Sequence, residues 1–338
     1  MNNQDDRYSK FALCREMLET TDVVRRFDPD AGAPFAQPVK AKSALFLTGE
    51  GSSRIFPAKR AMRDAMAHPA GPTVATEGAT QALEYDLSHH AVFGASNSGK
   101  TKEVVRLLDQ LSKQSHNALF GLVAHDNTSV ANVAHQSHVL TCGMEKAVAA
   151  TKSVVEQALF YDSLLHILRG EKLAGLDLAA DHLEAALTQP IDPALTEKLA
   201  AAGTIYFAGR NDGVAEELTL KINEITKKAS DYLEGTYAVH GIEEVMDPAD
   251  VVVVIDPFPD EEAKFDQCLV QGVGMTVIAI AERATSFPTV QIPGAGHFGP
   301  YVQLAAGWSL LVEIGLALDI NLDTAERARK VGNEFIAS

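Results

Sequence analysis

Cysteine is scarce in this chain. Cys14, Cys142 and Cys268 are the only three among 338 residues, an odd set with no regular spacing. Such a set excludes a disulfide framework and a cysteine-rich metal site, and it fits a reducing compartment. Positive charge is also short: 29 Lys and Arg stand against 45 Asp and Glu, a formal net charge of −16. That balance argues against a nucleic-acid or anionic-membrane partner, because both need broad cationic faces. A small anionic substrate stays open, since local N–H groups, Lys and Arg act at short range while the far field is screened. No apolar run reaches the ~18 residues a membrane span needs. The opening Met1-Asn2-Asn3-Gln4-Asp5-Asp6 is polar and acidic, unlike a secretory leader. The expectation is a cytoplasmic protein with no cofactor, no metal and no membrane or nucleic-acid partner.

What is present is 46% hydrophobic residues with 24 Gly, enough for one large or two medium α/β units. The most informative stretch runs from His90 to Ser112. Ala91-Val92-Phe93-Gly94 is a short apolar run of the kind a buried parallel strand needs. A turn of small side chains follows, Ala95-Ser96-Asn97-Ser98-Gly99-Lys100-Thr101. Beyond it Val104, Val105, Leu107, Leu108 and Leu111 fall at helical spacing. A strand turning directly into a helix leaves the first-turn N–H groups unpaired, and those donors with the helix dipole suit a phosphate. Ser96, Ser98 and Thr101 add hydroxyls to the same place. An ordinary capped strand–helix turn has the same outline, so the turn alone does not decide.

The chain in order supplies the context. Residues 8–26 predict an amphipathic helix broken near Thr20-Thr21, and residues 27–40, with Pro29, Pro34 and Pro38, read as a linker. Ser43–Thr48 is a first strand, followed by Gly49-Glu50-Gly51-Ser52-Ser53 and a helix from Arg54 to Ala67. Thr73–Thr76, Ala118–Val123 and His138–Thr141 are further strands, and Val148 to Gly170 is helical. After a helical connector over 171–197 the order restarts with Thr204–Ala208, the turn Gly209–Gly213 and a helix Val214–Lys228. Strands Val251–Ile255, Thr276–Ala281 and Val290–Ile292 follow, with helices at Glu261–Val270 and Tyr301–Leu318. The repeated order predicts an α/β chain of two tandem doubly wound units, each a mainly parallel sheet with helices on both faces. The expected division is an arm and linker over 1–42, a first unit over 43–180 and a second over 181–338. The second half has only Asp256-Pro257-Phe258-Pro259 at the place of the serine turn, a poor anion cradle. Ligands of such sheets sit beyond the carboxyl ends of the strands, which puts Ser52, Ser53 and the Ser96–Thr101 turn at the site.

These residues resemble the sugar isomerase (SIS) domain family, and more closely the isomerase half of glucosamine-6-phosphate synthase and its stand-alone relatives. Ser96-Asn97-Ser98-Gly99-Lys100-Thr101 is similar to that family's phosphate loop, and Gly51-Ser52-Ser53 to its turn after the first strand. Val148-Ala149-Ala150-Thr151-Lys152 resembles the segment that closes over the sugar, and Glu217 through Ile225 the family's E-x-x-x-K-x-x-E-I helix. His240-Gly241 and the tail from Asp323 to Lys330 follow at the family's spacing. Three positions depart from the pattern: Lys100 where an acid is usual, Ala150 where serine is common, and Ile242 where proline follows His-Gly. They bear on the substrate more than on the fold. No stretch ahead of residue 8 is long enough to release ammonia from glutamine, which argues against the glutamine-dependent synthase route.

Interconverting an aldose and a ketose needs a base that shuttles a proton between C1 and C2 of the open sugar. Glu224 is the candidate, with Lys221 three residues earlier on the same helix face to balance its charge. A solvated i,i+3 ion pair would give the same spacing. Glu216, Lys227 and Lys228 are assigned to such a surface role, and Glu217 is left open by the resemblance. His240, ahead of a glycine, is the candidate for ring opening, with His297 as a second. The other histidines show no paired metal spacing, and His89-His90 reads as structural. The resemblance implies that Lys330 reaches the sugar's carbonyl end, that Val148 and Ala150 line the substrate, and that a homodimer shares its sites. The apolar helices at 152–169 and 301–318 could be its interface or could be core.

The leading expectation is an enzyme acting on a phosphorylated sugar, taking a glucosamine-6-phosphate-like amino sugar to a ketose 6-phosphate plus ammonia. A deglycase for fructosyl-amino-acid 6-phosphates and a ketose/aldose phosphate isomerase use the same machinery. A non-catalytic sugar-phosphate-binding regulator is the remaining reading, disfavoured by the acidic charge and by the lack of a helix-turn-helix in residues 1–40.

Overall fold

A computed structural model describes residues 1–327. The fold is α/β with two five-stranded sheets, and every strand pairing in both is parallel. The first sheet contains β1 (Ala44–Thr48), β2 (Thr73–Thr76), β3 (His90–Ser96), β4 (Leu119–Val123) and β5 (Gln136–Val139). The second contains β6 (Thr204–Gly209), β7 (Ala229–Glu234), β8 (Val251–Ile255), β9 (Thr276–Ala281) and β10 (Thr289–Gln291). The first runs β2-β1-β3-β4-β5 and the second β7-β6-β8-β9-β10. Counted within each sheet the order is the same, 2-1-3-4-5, so the repeat holds strand for strand. The chain moves one way from β1 to β2 and the other way from β2 onward. Right-handed crossovers then place helices on both faces.

Two compact units contain these sheets. The first-sheet unit takes residues 23–145 and 150–176, and the second-sheet unit takes 1–22, 146–149 and 177–327.

In the first-sheet unit the helix Ile55–Ala67 packs with Lys152–Arg169 on one face, and Lys102–Lys113 packs with two short helices on the other. Val104, Val105, Leu107, Leu108 and Leu111 are buried, as their spacing predicts. Each such side chain contributes about 1.5–3 kcal/mol. The expected linker is instead the helix Ala33–Lys40, with Pro34 in its first turn and Pro38 inside it. Tertiary packing overrides the prolines: Phe35 lies 5.2 Å from the Phe160 ring and 5.7 Å from Phe120. The helix expected from Val148 begins at Lys152, because Glu145 holds the preceding turn in an irregular path by accepting the Thr151 N–H at 2.6 Å. Two buried ion pairs join this helix to Ile55–Ala67, Arg60–Asp162 at 3.0 Å and Arg169–Asp64 at 2.7 Å.

In the second-sheet unit the helix Gly299–Ala317 is buried from Gly299 through Gly315 and packs on Val214–Thr226 and Pro193–Ala201. It is a core helix of its own unit, as Lys152–Arg169 is of the other. Neither therefore offers a free apolar face. β7 carries no apolar run, and sequence periodicity misses it. It is an edge strand that buries only Leu233, its other residues alternating between exposed and half-buried, so only main-chain pairing with β6 reveals it. The expected helix over Glu261–Val270 is a short α-helix, Glu262–Phe265, running into a π-helix, Asp266–Val273. No helix among the described residues is long and apolar enough to cross a membrane.

Candidate functional site

In the first-sheet unit the strand order reverses between β1 and β3, where loops leave the sheet in opposite directions and open a crevice. Thr48 pairs with Gly94, so β1 ends two residues before β3 does. Gly51–Ser53 forms a 3-10 turn on one side of that crevice, and Asn97–Thr101 turns into the helix Lys102–Lys113 on the other. The structure thus brings Ser52, Ser53, Asn97, Ser98 and Thr101 to one crevice.

The turn is braced from inside. Ser96 is buried and its Oγ lies 2.7 Å from Thr101 Oγ1, so these two hydroxyls fix the bend. Gly99 has φ +64°, and a Cβ there would lie 2.2 Å from Thr128 Oγ1. Glycine is required for both reasons. The Gly99 carbonyl accepts the Val130 N–H at 2.9 Å, and the Asn97 carbonyl accepts that of Ala124 at 3.1 Å. Ser52, Ser53 and Ser98 are half-buried. Thr101, the N-cap, makes no side-chain cap hydrogen bond. An anion resting here meets hydroxyls and first-turn N–H groups of a helix. Glu50 borders the crevice and accepts the Ala79 N–H at 3.1 Å. Desolvation outweighs that bond and lifts its carboxyl above the usual range. Lys100 is exposed.

The corresponding crevice in the second-sheet unit, between β6 and β8, is spanned by the protein itself. Arg210, after β6, donates to the Asp256 carbonyl at 2.5 Å and pairs with its carboxylate at 2.7 Å. Its guanidinium lies 4.3 Å from the Phe258 ring centroid.

Also in this unit, Lys221 is fully buried between Glu217 at 3.1 Å and Glu224 at 2.8 Å. Glu217 is wholly buried, whereas the Glu224 side chain is 24% exposed. Burial disfavours the ammonium, but the two carboxylates outweigh it and hold Lys221 above the ordinary lysine range. One carboxylate is thus sealed beside the lysine, and the other keeps a face toward solvent.

His240 follows the short 3-10 turn Tyr237–Val239 and is exposed, with Lys264 Nζ 3.2 Å from its Nε2. Gly241 has φ +110°, which turns the chain into Ile242–Val245. Ile242, where the resembling family has proline, packs against the buried core of this sheet. Glu224 and His240 are not brought together. The helix Val214–Thr226 runs back along β6, so Glu224 lies at the amino edge of the sheet, where Lys228 reaches the Ala202 carbonyl at 2.7 Å. His240 follows β7 at the carboxyl edge, where Gly235 donates to the Gly209 carbonyl at 2.6 Å. His297 stacks edge-on with Phe298 at 5.1 Å. Val148 and Ala150 are half-buried, and the Val148 N–H donates to the Asp323 carbonyl at 3.1 Å. Lys330 lies outside the described residues.

Sequence reasoning missed three carboxylates that fix the segment around Val148. Glu156 accepts the N–H groups of Thr141 and Cys142 at 2.8 and 2.7 Å. Glu16 accepts those of Lys146 and Ala147 at 2.5 and 3.3 Å. Glu145 accepts that of Thr151 at 2.6 Å. Lone glutamates at unrelated spacings give no signal that they act as caps. No group of three or more His, Cys, Asp or Glu among the described residues is placed to hold a metal.

No family model matches the chain. A glutamine–fructose-6-phosphate aminotransferase (isomerizing) of Sulfurisphaera tokodaii is 26% identical over 169 residues, 49% of this chain. The match spans only 28% of that relative's length. The C-terminal domain of glucosamine-fructose-6-phosphate aminotransferase from Francisella tularensis superposes with a TM-score of 0.78 at 18% identity, covering 94% of this chain and 98% of that one. Tagatose-6-phosphate ketose/aldose isomerase from Escherichia coli gives 0.71 at 18%, covering 92% and 97%. Glucosamine-6-phosphate deaminase from Thermotoga maritima gives 0.69 at 17%, covering 93% and 98%. The likeness is one of fold, and the fold is the tandem arrangement of two SIS-type units.

Proposed function

We propose that this chain, with its tandem SIS fold, is a phosphosugar isomerase acting on an amino-sugar 6-phosphate, and that it converts a glucosamine-6-phosphate-like substrate to a ketose 6-phosphate with loss of ammonia. The observation that carries the reading is the Glu217–Lys221–Glu224 cluster. A fully buried lysine holds a carboxylate that is itself 24% exposed, at 2.8 Å. Such a carboxylate, held by an ammonium on one side and open on the other, is placed to move a proton at carbon.

Each group then has a task. Ser52, Ser53, Ser98 and Thr101, with the first-turn N–H groups of Lys102–Lys113, hold the phosphate. Asn97 orders the turn through its carbonyl. His240 exchanges a proton between the C1 hydroxyl and the ring oxygen and so opens the sugar. Glu224 takes the C2 proton of the open aldehyde and returns it at C1, through an enolamine. Water then adds to the C2 imine, and ammonia leaves. Lys221 holds Glu224 in place through the 2.8 Å ion pair, and Val148 and Ala150 line the sugar. Lys330 meets its carbonyl end. Because Glu224 and His240 stand at opposite edges of the second sheet, His240 serves the substrate of a neighbouring copy. The protein is then a homodimer with shared sites.

The test is a coupled assay for ammonia and fructose 6-phosphate from glucosamine 6-phosphate. Glu224→Gln is expected to lower kcat by about 10²–10⁴-fold, the usual weight of a general base, while phosphosugar binding is kept. Unchanged turnover in that variant removes the base from the mechanism. Turnover of fructosyl-amino-acid 6-phosphates or tagatose 6-phosphate in place of the amino sugar replaces the substrate and keeps the machinery.

A further inference from the structure

We propose that Asp323 is a positioning residue for this chemistry, acting through Val148 and through the Glu224 end of the helix Val214–Thr226 without touching substrate. The inference rests on the reading of Glu224 as the base. All its contacts lie inside the second-sheet unit.

Asp323 gathers three separate stretches of chain. Its carboxylate accepts the N–H groups of Ala12 and Leu13 at 2.9 and 2.8 Å, in the first turn of the helix Ala12–Arg26. An anion there meets unpaired N–H groups and the positive end of the helix dipole. Its carbonyl accepts the Val148 N–H at 3.1 Å, and its own N–H donates to Asn321 Oδ1 at 3.0 Å. One residue on, Lys227 Nζ donates to the Thr324 carbonyl at 2.9 Å and to the Glu224 carbonyl at 2.7 Å. The main chain at 323–324 is therefore tied both to Val148 and to the residue proposed as base.

The helix Ala12–Arg26 completes the arrangement. Glu16, one turn along it, accepts the Lys146 and Ala147 N–H groups at 2.5 and 3.3 Å. Three consecutive amides, Lys146 to Val148, are thus held by Glu16 and Asp323. A cap from a residue nearby in sequence would stabilise the helix equally well. Asp192 does this for the helix Pro193–Ala201, accepting the Ala194 N–H at 2.9 Å. The helix Ala12–Arg26 instead takes its cap from 311 residues away, so the cap also sets where Val148 lies.

The experiment compares wild type, Asp323→Ala, Asp323→Asn and Asp192→Ala for kcat and KM on glucosamine 6-phosphate, for Tm, and for hydrogen exchange at the Val148 amide. Asp323→Ala is expected to lower kcat about 10²-fold, the cost of roughly 1 Å of misplacement. Its KM should move less than about 3-fold, and Val148 exchange should quicken. Asp323→Asn keeps one accepting oxygen and recovers part of kcat. Asp192→Ala lowers Tm comparably but leaves kcat and Val148 exchange as they were. An unchanged kcat in Asp323→Ala, or an equal kcat loss in Asp192→Ala, overturns the proposal. If wild type turns over no phosphosugar, the functional reading falls by itself, and Val148 exchange decides. Exchange still slow in Asp323→Ala overturns the tie, and faster exchange supports it. If Asp323→Ala does not fold, Lys227→Met carries the same comparison: a matching kcat loss supports the proposal and none overturns it.

Discussion

The crevice between β1 and β3 and the crevice between β6 and β8 are the same place in two copies of one topology. They differ in what fills them. The first is edged by half-buried serines and by a helix whose N-cap side chain makes no capping hydrogen bond. The second is crossed by Arg210, which binds Asp256 at 2.7 Å and lies over Phe258. Strand order creates a crevice in each sheet, and short turns decide whether a ligand or the protein's own side chain occupies it. Its own crevice filled, the second unit keeps a different charged group, the buried Lys221 between two glutamates, on the helix Val214–Thr226.

The comparison breaks most severely at that helix. Lys221→Met leaves Glu217 buried without its cation, and the expected cost is about 3–5 kcal/mol. A urea-unfolding midpoint that hardly moves would mean that Glu217 is neutral in the folded protein. The two crevices can next be set against each other directly. Ser98→Ala should weaken inorganic phosphate binding by about 10-fold or more, since a hydrogen bond to a charged group contributes about 1.5–3 kcal/mol. Arg210→Ala removes a part-exposed pair and should cost about 1 kcal/mol or less in stability, with phosphate affinity unchanged. Isothermal titration with both variants reads the contrast, and equal loss in the two would erase it.

The smallest effect is one of pH. Burial lowers the imidazoles of His90, His116 and His138 in the first-sheet unit below the usual histidine range. Between the folded values and the ordinary value near 6.5 the unfolded chain binds more protons than the folded one. Stability is therefore full above that ordinary value and falls as pH drops through it. Urea midpoints at pH 8 and pH 5 should differ in that direction. His138→Phe, which keeps the ring against Phe160 at 4.6 Å, should flatten the difference.

Much of the fold was legible because burial imposes periodicity. β3, β4 and β8 are buried at nearly every position and so read as apolar runs. β7 was illegible because an edge strand is held by main-chain bonds, which leave no pattern in side chains. Pro34 and Pro38 pointed to a linker because local propensity knows nothing of Phe93, Phe120 and Phe160, whose rings hold Phe35. In the candidate site the serine turn was legible because a strand–turn–helix junction needs small residues close together. Lys221 and Glu224 were legible because one helix turn brings them to one face. Glu16, Glu145, Glu156 and Asp323 were not, because each caps amides that only folding brings near.

The sequence by itself determined the repeated α/β order, the hydroxyl-rich turn and the lysine–glutamate pair, because strands, turns and helices are written by neighbours in the chain. Only the tertiary structure decided that Lys221 is buried with one carboxylate sealed and one open, that Arg210 fills the second crevice, and that Asp323 ties the helix Ala12–Arg26 to Val148. Burial and long-range capping depend on what the folded chain places around a residue, and that environment is assembled from stretches far apart in sequence.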